Sequence, residues 1–377
     1  MTDVPPPGRP GADSEPHTPP GPGGGGPDEA YGDGADATEA FVGNRELLFS
    51  IVYNMLGSVA DTEDVLQEAW LAWADRAGAA GRVQAGPIGH PRAYLVRIAV
   101  NKALARQAVI SRRRETYVGP WLPEPLPTPL ADGGRPPEEG GEAVDRAESV
   151  SMALLVVLET LTPLERAVFV LHEVFGYAHT ETAEILGRRP AAVRQLAHRA
   201  REHVRARRPR YQADPRLRQQ VTERFAAAVY GGDLPALLRL LAPDVTLWAD
   251  GGGKAVAAGL RPLHGRDHVA RLLMSRGPAL APRLDIRFQQ VNGGPSAVLL
   301  IGGSPFAVLV LDLDPDGGTV RGIYFVTNPD KLVRLGSARP GRRPGLTRPR
   351  VPARTRPPLT GPPAPDRPRP DLRRERR

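Results

Sequence analysis

The chain has 377 residues, no cysteine and a formal charge of +8, and lysine occurs only at Lys102, Lys254 and Lys331, so the positive charge is almost all arginine. The length suggests two or three domains, and the missing cysteine excludes disulfides and thiolate metal sites. No apolar core follows a basic start, and the most apolar stretch, Ala297 to Leu313, is cut by Gly302, Gly303 and Pro305, so neither a signal peptide nor a membrane span is expected and a soluble cytoplasmic protein is the default.

Residues 1–40 carry a net charge of −7 and are mostly Pro, Gly and acid, while 338–377 are Pro/Arg-rich with a net charge of +10. Neither segment can bury enough apolar surface to offset chain entropy, so both are expected to be disordered, the basic tail adding non-specific attraction for DNA.

Folded structure is expected to begin near Phe41. Leu47, Leu48, Ile51, Val52 and Met55 share one helical face, closed by Gly57. A second helix is expected to be capped by Asp61 and to bury Val65, Leu66, Ala69, Trp70 and Trp73. Its outer face shows Asp64, Gln67 and Glu68, which taken alone also fits ordinary solvation. After a Gly-rich loop at 78–89, a third helix places Leu95, Ile98, Ala99, Lys102 and Ala105 on a mixed face and Arg92, Arg97, Asn101, Arg106, Arg112, Arg113 and Arg114 on a positive one. Residues 117–142 read as a flexible Pro/Gly tether holding Trp121-Leu122-Pro123-Glu124-Pro125, where a tryptophan also suits docking onto a neighbouring domain.

A helix over 144–161 is expected next. Thr162 and Glu165 then form a capping box that opens a helix with Leu164, Val168, Leu171 and Phe175 inward. Two short helices follow, turning at Gly187 to Arg189, with Pro190 opening the second. Val193, Leu196, Ala197 and Ala200 make its apolar stripe, and Arg188, Arg189, Arg194, Gln195, His198 and Arg199 lie on or beside the opposite face. Between Arg188 and Arg210 nine arginines stand against one acid, Glu202. This is the charge and periodicity of a helix-turn-helix that enters the major groove, although a solvated basic helix in an unrelated bundle has the same pattern. The first helix of the pair starts at Ala178-His179 without a Ser or Thr cap, a loss of about 1 kcal/mol.

A third unit, 217–336, reads as two helices within 217–242, the second capped by Asp233. A further helix near His268–Met274 and strands at 284–291, 296–302, 306–313 and Thr319–Asn328 complete a curved antiparallel sheet against helices, an α+β cone. Such cones also host small isomerases and cyclases, for which Asp244, Asp250, His264, Asp267 and His268 are the candidate titratable groups. Spacing gives none of them a partner, which leaves surface or capping roles.

The runs ADTEDVLQEAWLAWADR, PRAYLVRIAVNKALARQ and LTPLERAVFVLHEVFGYAHTETAEILGRRPAAVRQLAHRARE, in this order, resemble regions 2 and 4 of the extracytoplasmic-function (ECF) sigma factors of bacterial RNA polymerase. The resemblance implies a multidomain chain: region 2 as an all-α bundle over 41–116, a linker over 117–143, and region 4 as an all-α domain over 144–210. The WLPEP run, Asp250-Gly251-Gly252-Gly253-Lys254 and Asn328-Pro329-Asp330-Lys331-Leu332 resemble the subgroup that carries a fused SnoaL-like α+β domain, here 217–336, acting as a built-in regulator. By position, Asp64, Gln67 and Glu68 are expected to face core polymerase. Arg97, Asn101, Lys102 and Arg106 are expected beside the minus-ten strand, and Arg188, Arg189, Arg194, Gln195, His198 and Arg199 at the minus-thirty-five element. The implied partners are core RNA polymerase and promoter DNA, with no membrane, no cofactor, no metal and no separate anti-sigma factor; catalysis is not expected.

Overall fold

The structure is a computed structural model describing residues 34–80, 88–128, 150–207, 214–255 and 259–335. The disorder expected of 1–33 and 338–377 and the linker beyond Thr128 lie outside the described residues; the helix expected over 144–161 is shorter, Met152–Leu158, because Ser151 is its extended cap.

The first block is a three-helix bundle: α1 Gly34–Leu56, α2 Val59–Ala80 and α3 Pro91–Glu115. Helix α1 is already formed at Gly34, seven residues before the expected Phe41. Ala37 and Ala40 pack into the core, and the buried Trp73 indole donates to the Ala37 carbonyl at 2.7 Å, fixing that extra turn. Helix α2 begins at Val59 rather than at an Asp61 cap. Ser58 Oγ accepts from Asp61 N at 3.3 Å, and the Asp61 carboxylate turns instead to Arg106 and Arg113. On α3 the buried positions are Leu95, Val96, Ala99, Val100, Ala103, Gln107 and Ile110. Ile98, Lys102 and Ala105 flank this stripe, which widens because α3 packs on α1 and α2 and also on the second block.

The second block holds α4 Met152–Leu158, α5 Pro163–Phe169 continued by a π turn over Val170–Val174, α6 His179–Leu186 and α7 Pro190–Arg207. Ser151 caps α4 through Leu154 N. The Thr162/Glu165 capping box is present in both directions. Gly187, at φ +61°, ends α6 in the left-handed region that a β-carbon disfavours, and Pro190 starts α7. The apolar stripe of α7 is Val193, Ala197, Ala200 and Val204; Leu196 is only half-buried.

The third unit comprises α8 Pro215–Gly231, α9 Leu234–Leu240, β1 Leu241–Asp250, β2 Leu263–His264, α10 Arg266–Leu280, β3 Leu284–Val291, β4 Gly294–Ile301, β5 Ser304–Leu313, β6 Val320–Val326 and α11 Pro329–Leu332. Asp233 caps α9 as expected. The strands form one sheet in the order β2-β1-β6-β5-β4-β3. It is mixed rather than wholly antiparallel, because the last strand returns beside the first in the same direction, pairing Leu247 with Ile323 and Asp250 with Val326. One face packs Leu247, Ala249, Ala297, Leu309 and Ile323 against Val221, Phe225, Val229, Leu237 and Val269 of the cone helices. The other face presents Val298, Leu300, Val308, Val310, Tyr324 and Val326 to Leu122 of the linker, Met152 and Ala153 of α4, and Leu332. Burial of both faces explains why β4 and β5 read as continuous apolar runs instead of alternating ones.

Candidate nucleic-acid interface

The turn after α6 and the outer face of α7 leave Arg188, Arg189, Arg194, Gln195, His198 and Arg199 exposed. Arg199 is held lightly, its Nε 3.2 Å from Glu165 Oε1 with the arginine side chain 64% exposed. Behind this face, the missing cap at Ala178 is half-compensated: its backbone N–H donates to Glu181 Oε2 at 2.6 Å. The His172 and His179 rings lie 3.9 Å apart. Burial, then His172, Arg201 and Arg194, hold the His179 imidazole below its ordinary pKa.

The acidic and basic residues of the first block form one surface, not two. Arg106 Nε lies 2.9 Å from Asp61 Oδ1 and its guanidinium also binds Asp64, while Lys102 Nζ lies 3.4 Å from Glu68. Burial opposes the Arg106 charge, but its hydrogen bonds to Asp61 and Asp64 and the charges of those carboxylates outweigh it and raise its pKa. A partly exposed pair such as Lys102–Glu68 contributes about 0–1 kcal/mol, so it can be exchanged for other partners. Gln67 shares a shallow groove with Phe41, Arg45, Glu63, Asp64, Leu66 and Trp70, beside Leu71, which is 60% exposed. Arg97 is exposed. Asn101 Nδ2 donates to Arg97 O at 2.8 Å and to Ile185 O of α6 at 3.3 Å, so the helix-turn-helix packs against the very helix that carries the second set of candidate DNA contacts.

The three motifs expected to act between domains meet at one point. Asp250 is fully buried and accepts from Tyr117 Oη at 2.5 Å, Leu122 N at 2.9 Å and Lys331 Nζ at 2.7 Å. Lys331 Nζ also donates to Leu122 O and lies 4.1 Å from the Trp121 ring centroid. Burial lowers the Lys331 pKa although Asp250 favours its charge. Asn328 Nδ2 donates to Tyr117 Oη at 2.9 Å. Gly252, at φ +58°, passes so close that a β-carbon there would lie 2.4 Å from Asn328 Nδ2; Gly251 to Gly253 is therefore more than a loose turn. Lys254 pairs with Asp330 at the surface. Pro123 and Pro125 are buried. Glu124 clasps the α1–α2 corner: its N–H donates to Gly57 O at 2.9 Å and its Oε2 accepts from Val59 N at 2.9 Å.

Residues 117–128 are thus a fixed strap, not a flexible tether. Pro127 even bridges Val291 on the edge strand β3, covering an open sheet edge. Several participants escaped the sequence reading. Asn292, in the left-handed region at φ 48°, donates from Nδ2 to Tyr53 Oη at 2.7 Å, and Tyr53 Oη donates to Glu124 O at 2.5 Å. The Asn292-Gly293 dipeptide signals a hairpin turn, but nothing local points to Tyr53, 239 positions away. Glu159 likewise joins Arg114 of α3 to Arg166 of α5, the latter at 2.6 Å.

The candidate catalytic groups do not assemble. Asp244 faces Arg321 at 3.4 Å, His264 Nδ1 lies 3.0 Å from Thr246 Oγ1, and Asp267 and His268 border an open depression with Arg266 and Arg271. Asp250 is committed to the strap. His268 Nδ1 lies 3.3 Å from the His264 backbone carbonyl, and no side-chain to side-chain hydrogen bond joins any two of the five among the described residues. Among those residues no group of three or more His, Asp or Glu could hold a metal, and no helix is long and apolar enough to cross a membrane.

Comparison with known proteins agrees with this geometry. Residues 41–114 match the family model for sigma-70 region 2 and residues 151–204 the model for sigma-70 region 4. The chain is 37% identical to the ECF RNA polymerase sigma factor SigJ of Mycobacterium tuberculosis over 296 residues, 76% of this chain and 90% of that protein. To SigG of the same organism it is 31% identical over 327 residues, 77% and 80% of the two chains. The crystal structure of M. tuberculosis SigJ superposes with a TM-score of 0.60 at 34% identity, covering 80% of this chain and 99% of that one. The chain belongs to the ECF sigma factors, transcription initiation factors that work with core RNA polymerase and promoter DNA, and it carries the fused SnoaL-like domain.

Proposed function

We propose that the structure is a closed, resting form of a sigma factor that its own cone domain holds shut. In this reading Arg188, Arg189, Arg194, Gln195, His198 and Arg199 read the minus-thirty-five element, and Arg97, Asn101, Lys102 and Arg106 line the minus-ten strand. Asp64, Gln67 and Glu68, beside exposed Leu71, dock on core polymerase. The observation that carries it is the Asn101–Ile185 hydrogen bond: it ties a residue assigned to the minus-ten strand to the first helix of the helix-turn-helix, so region 4 must leave region 2 before Asn101 can meet DNA. The buried Asp250–Lys331 pair, gripping the strap on both sides of Trp121, supports the cone as the restraint. A restraint within the chain removes the need for a separate anti-sigma factor, and the protein acts in the cytoplasm.

The test is in-vitro transcription with core polymerase, comparing the full chain with chains ended near Arg210 and near Ser337. The reading expects promoter-specific initiation that changes when the cone is removed; no initiation from any of the three would overturn it. Arg194→Ala is expected to weaken promoter binding about tenfold, the loss of one good base or phosphate contact, with polymerase affinity unchanged. Asp64→Ala should do the reverse, so a defect of both variants in DNA binding alone would refute the assignment of the acidic helix.

A further inference from the structure

Two cations lie over one indole ring where region 2, region 4 and the cone meet. The Arg114 guanidinium, from the end of α3, is 3.6 Å from the Trp121 ring centroid, and Lys331 Nζ, from the cone, is 4.1 Å from it. Each cation has its own carboxylate, Asp250 fully buried and Glu159 partly so, and the two carboxylates belong to different interfaces. Asp250 serves Lys331 within the strap and cone. Glu159, at the end of α4, serves Arg114 and also Arg166, whose Nε donates to Asn54 O of α1 at 3.0 Å. Gly57 is the floor of the junction: at φ +69°, a β-carbon there would stand 2.9 Å from Trp121 Cη2 and 3.2 Å from Glu159 Oε1.

We infer that this junction couples two separations, release of the cone from region 2 and release of region 4 from region 2, into one cooperative opening. The inference rests on the closed-form reading above and deepens it. If the cone leaves with its strap, Trp121 withdraws from Arg114 and water reaches the Glu159–Arg166 pair. If region 4 leaves, Glu159 goes with it, and Arg114 keeps its ring but loses its carboxylate in a site where Arg114 Nε and Arg166 Nη2 already lack partners among the described residues. Either departure alone takes one partner of Arg114, its ring or its carboxylate, and lets water into the contact that remains, which weakens it, so the first makes the second easier, which is what a coupling free energy means. Cooperative opening also gives the cone control of region 4 through the indole, beyond its direct apolar contact with α4.

The chain has no native cysteine, so pairs of introduced cysteines carry fluorophores at defined places. Leu71→Cys with Arg205→Cys reports region 2 against region 4, and Leu71→Cys with Ser304→Cys reports region 2 against the cone. In the full-length protein, Glu159→Gln touches only the region 4 joint and Lys331→Met only the cone joint. Coupling predicts that each raises the open fraction of both pairs, by about tenfold for typical allosteric couplings, and that Trp121→Phe, a conservative change that keeps an aromatic ring, falls between wild type and these. If each variant opens its own pair alone, the coupling is wrong. That result leaves regulation by the cone standing whenever the chain ended near Arg210 differs from the full chain in transcription, and removes it too when the two are equal.

Discussion

The buried Asp250 carboxylate accepts three hydrogen bonds, and one of its partners is a lysine that burial pushes toward neutrality. Asp250→Asn keeps much of the shape but removes the charge that holds Lys331, so it should destabilise the protein by on the order of 3 kcal/mol, read by denaturant unfolding. Adding Lys331→Met to that variant should recover part of the loss, because the pair then leaves no unpaired charge. His179 gives a pH dependence with a definite sign. Its pKa in the folded state is below the ordinary 6.5, so the unfolded chain binds the extra proton more readily. Its contribution is fully present above pH 6.5 and declines as the pH falls below that value. Acidifying from pH 7 should therefore loosen the helix-turn-helix in hydrogen exchange, and His179→Gln should flatten that response.

Helices of this chain are legible because their caps and periods are local. Thr162 and Glu165, Gly187 and Pro190, and Asp233 all stand at the element ends that the sequence indicates. The failures have one physical cause, long-range partners that override local preference. Asp61 is turned by Arg106 and Arg113, the buried stripe of α3 is widened by a second packing partner, and the strap is fixed by groups 65 or more positions away. The interdomain motifs were found through family resemblance; nothing local points to the partners of Tyr117, Glu159 and Asn292, which complete their geometry. One local defect remains open to repair. Ala178 has cap-like backbone angles, φ −62° and ψ 157°, and Glu181 already supplies the return bond. Ala178→Ser should therefore stabilise α6 by about 1 kcal/mol, measured as a rise in the thermal midpoint, with no loss of promoter binding.

At the scale of the whole molecule, the sheet face carrying Val298, Val308 and Val310 is closed by Leu122, Met152 and Ala153 of the sigma core. A chain ended near Arg210 lays that core patch open. It should bind an apolar dye more strongly than the full chain and lose solubility, an effect that Met152→Gln in the shortened chain should reduce. The parallel pairing of β1 and β6 has a further consequence for how such a chain can change. Because the two strands run the same way and finish together, Asp250 and the Asn328–Leu332 turn arrive at one corner of the sheet. The strand that delivers Lys331 lies between β1 and β5. No deletion can remove that lysine's segment together with its strand without splitting the sheet. The restraint and the domain that bears it are thus one heritable unit: graded loosening is open to single substitutions, whereas shortening the chain through β6 forfeits the cone as a whole.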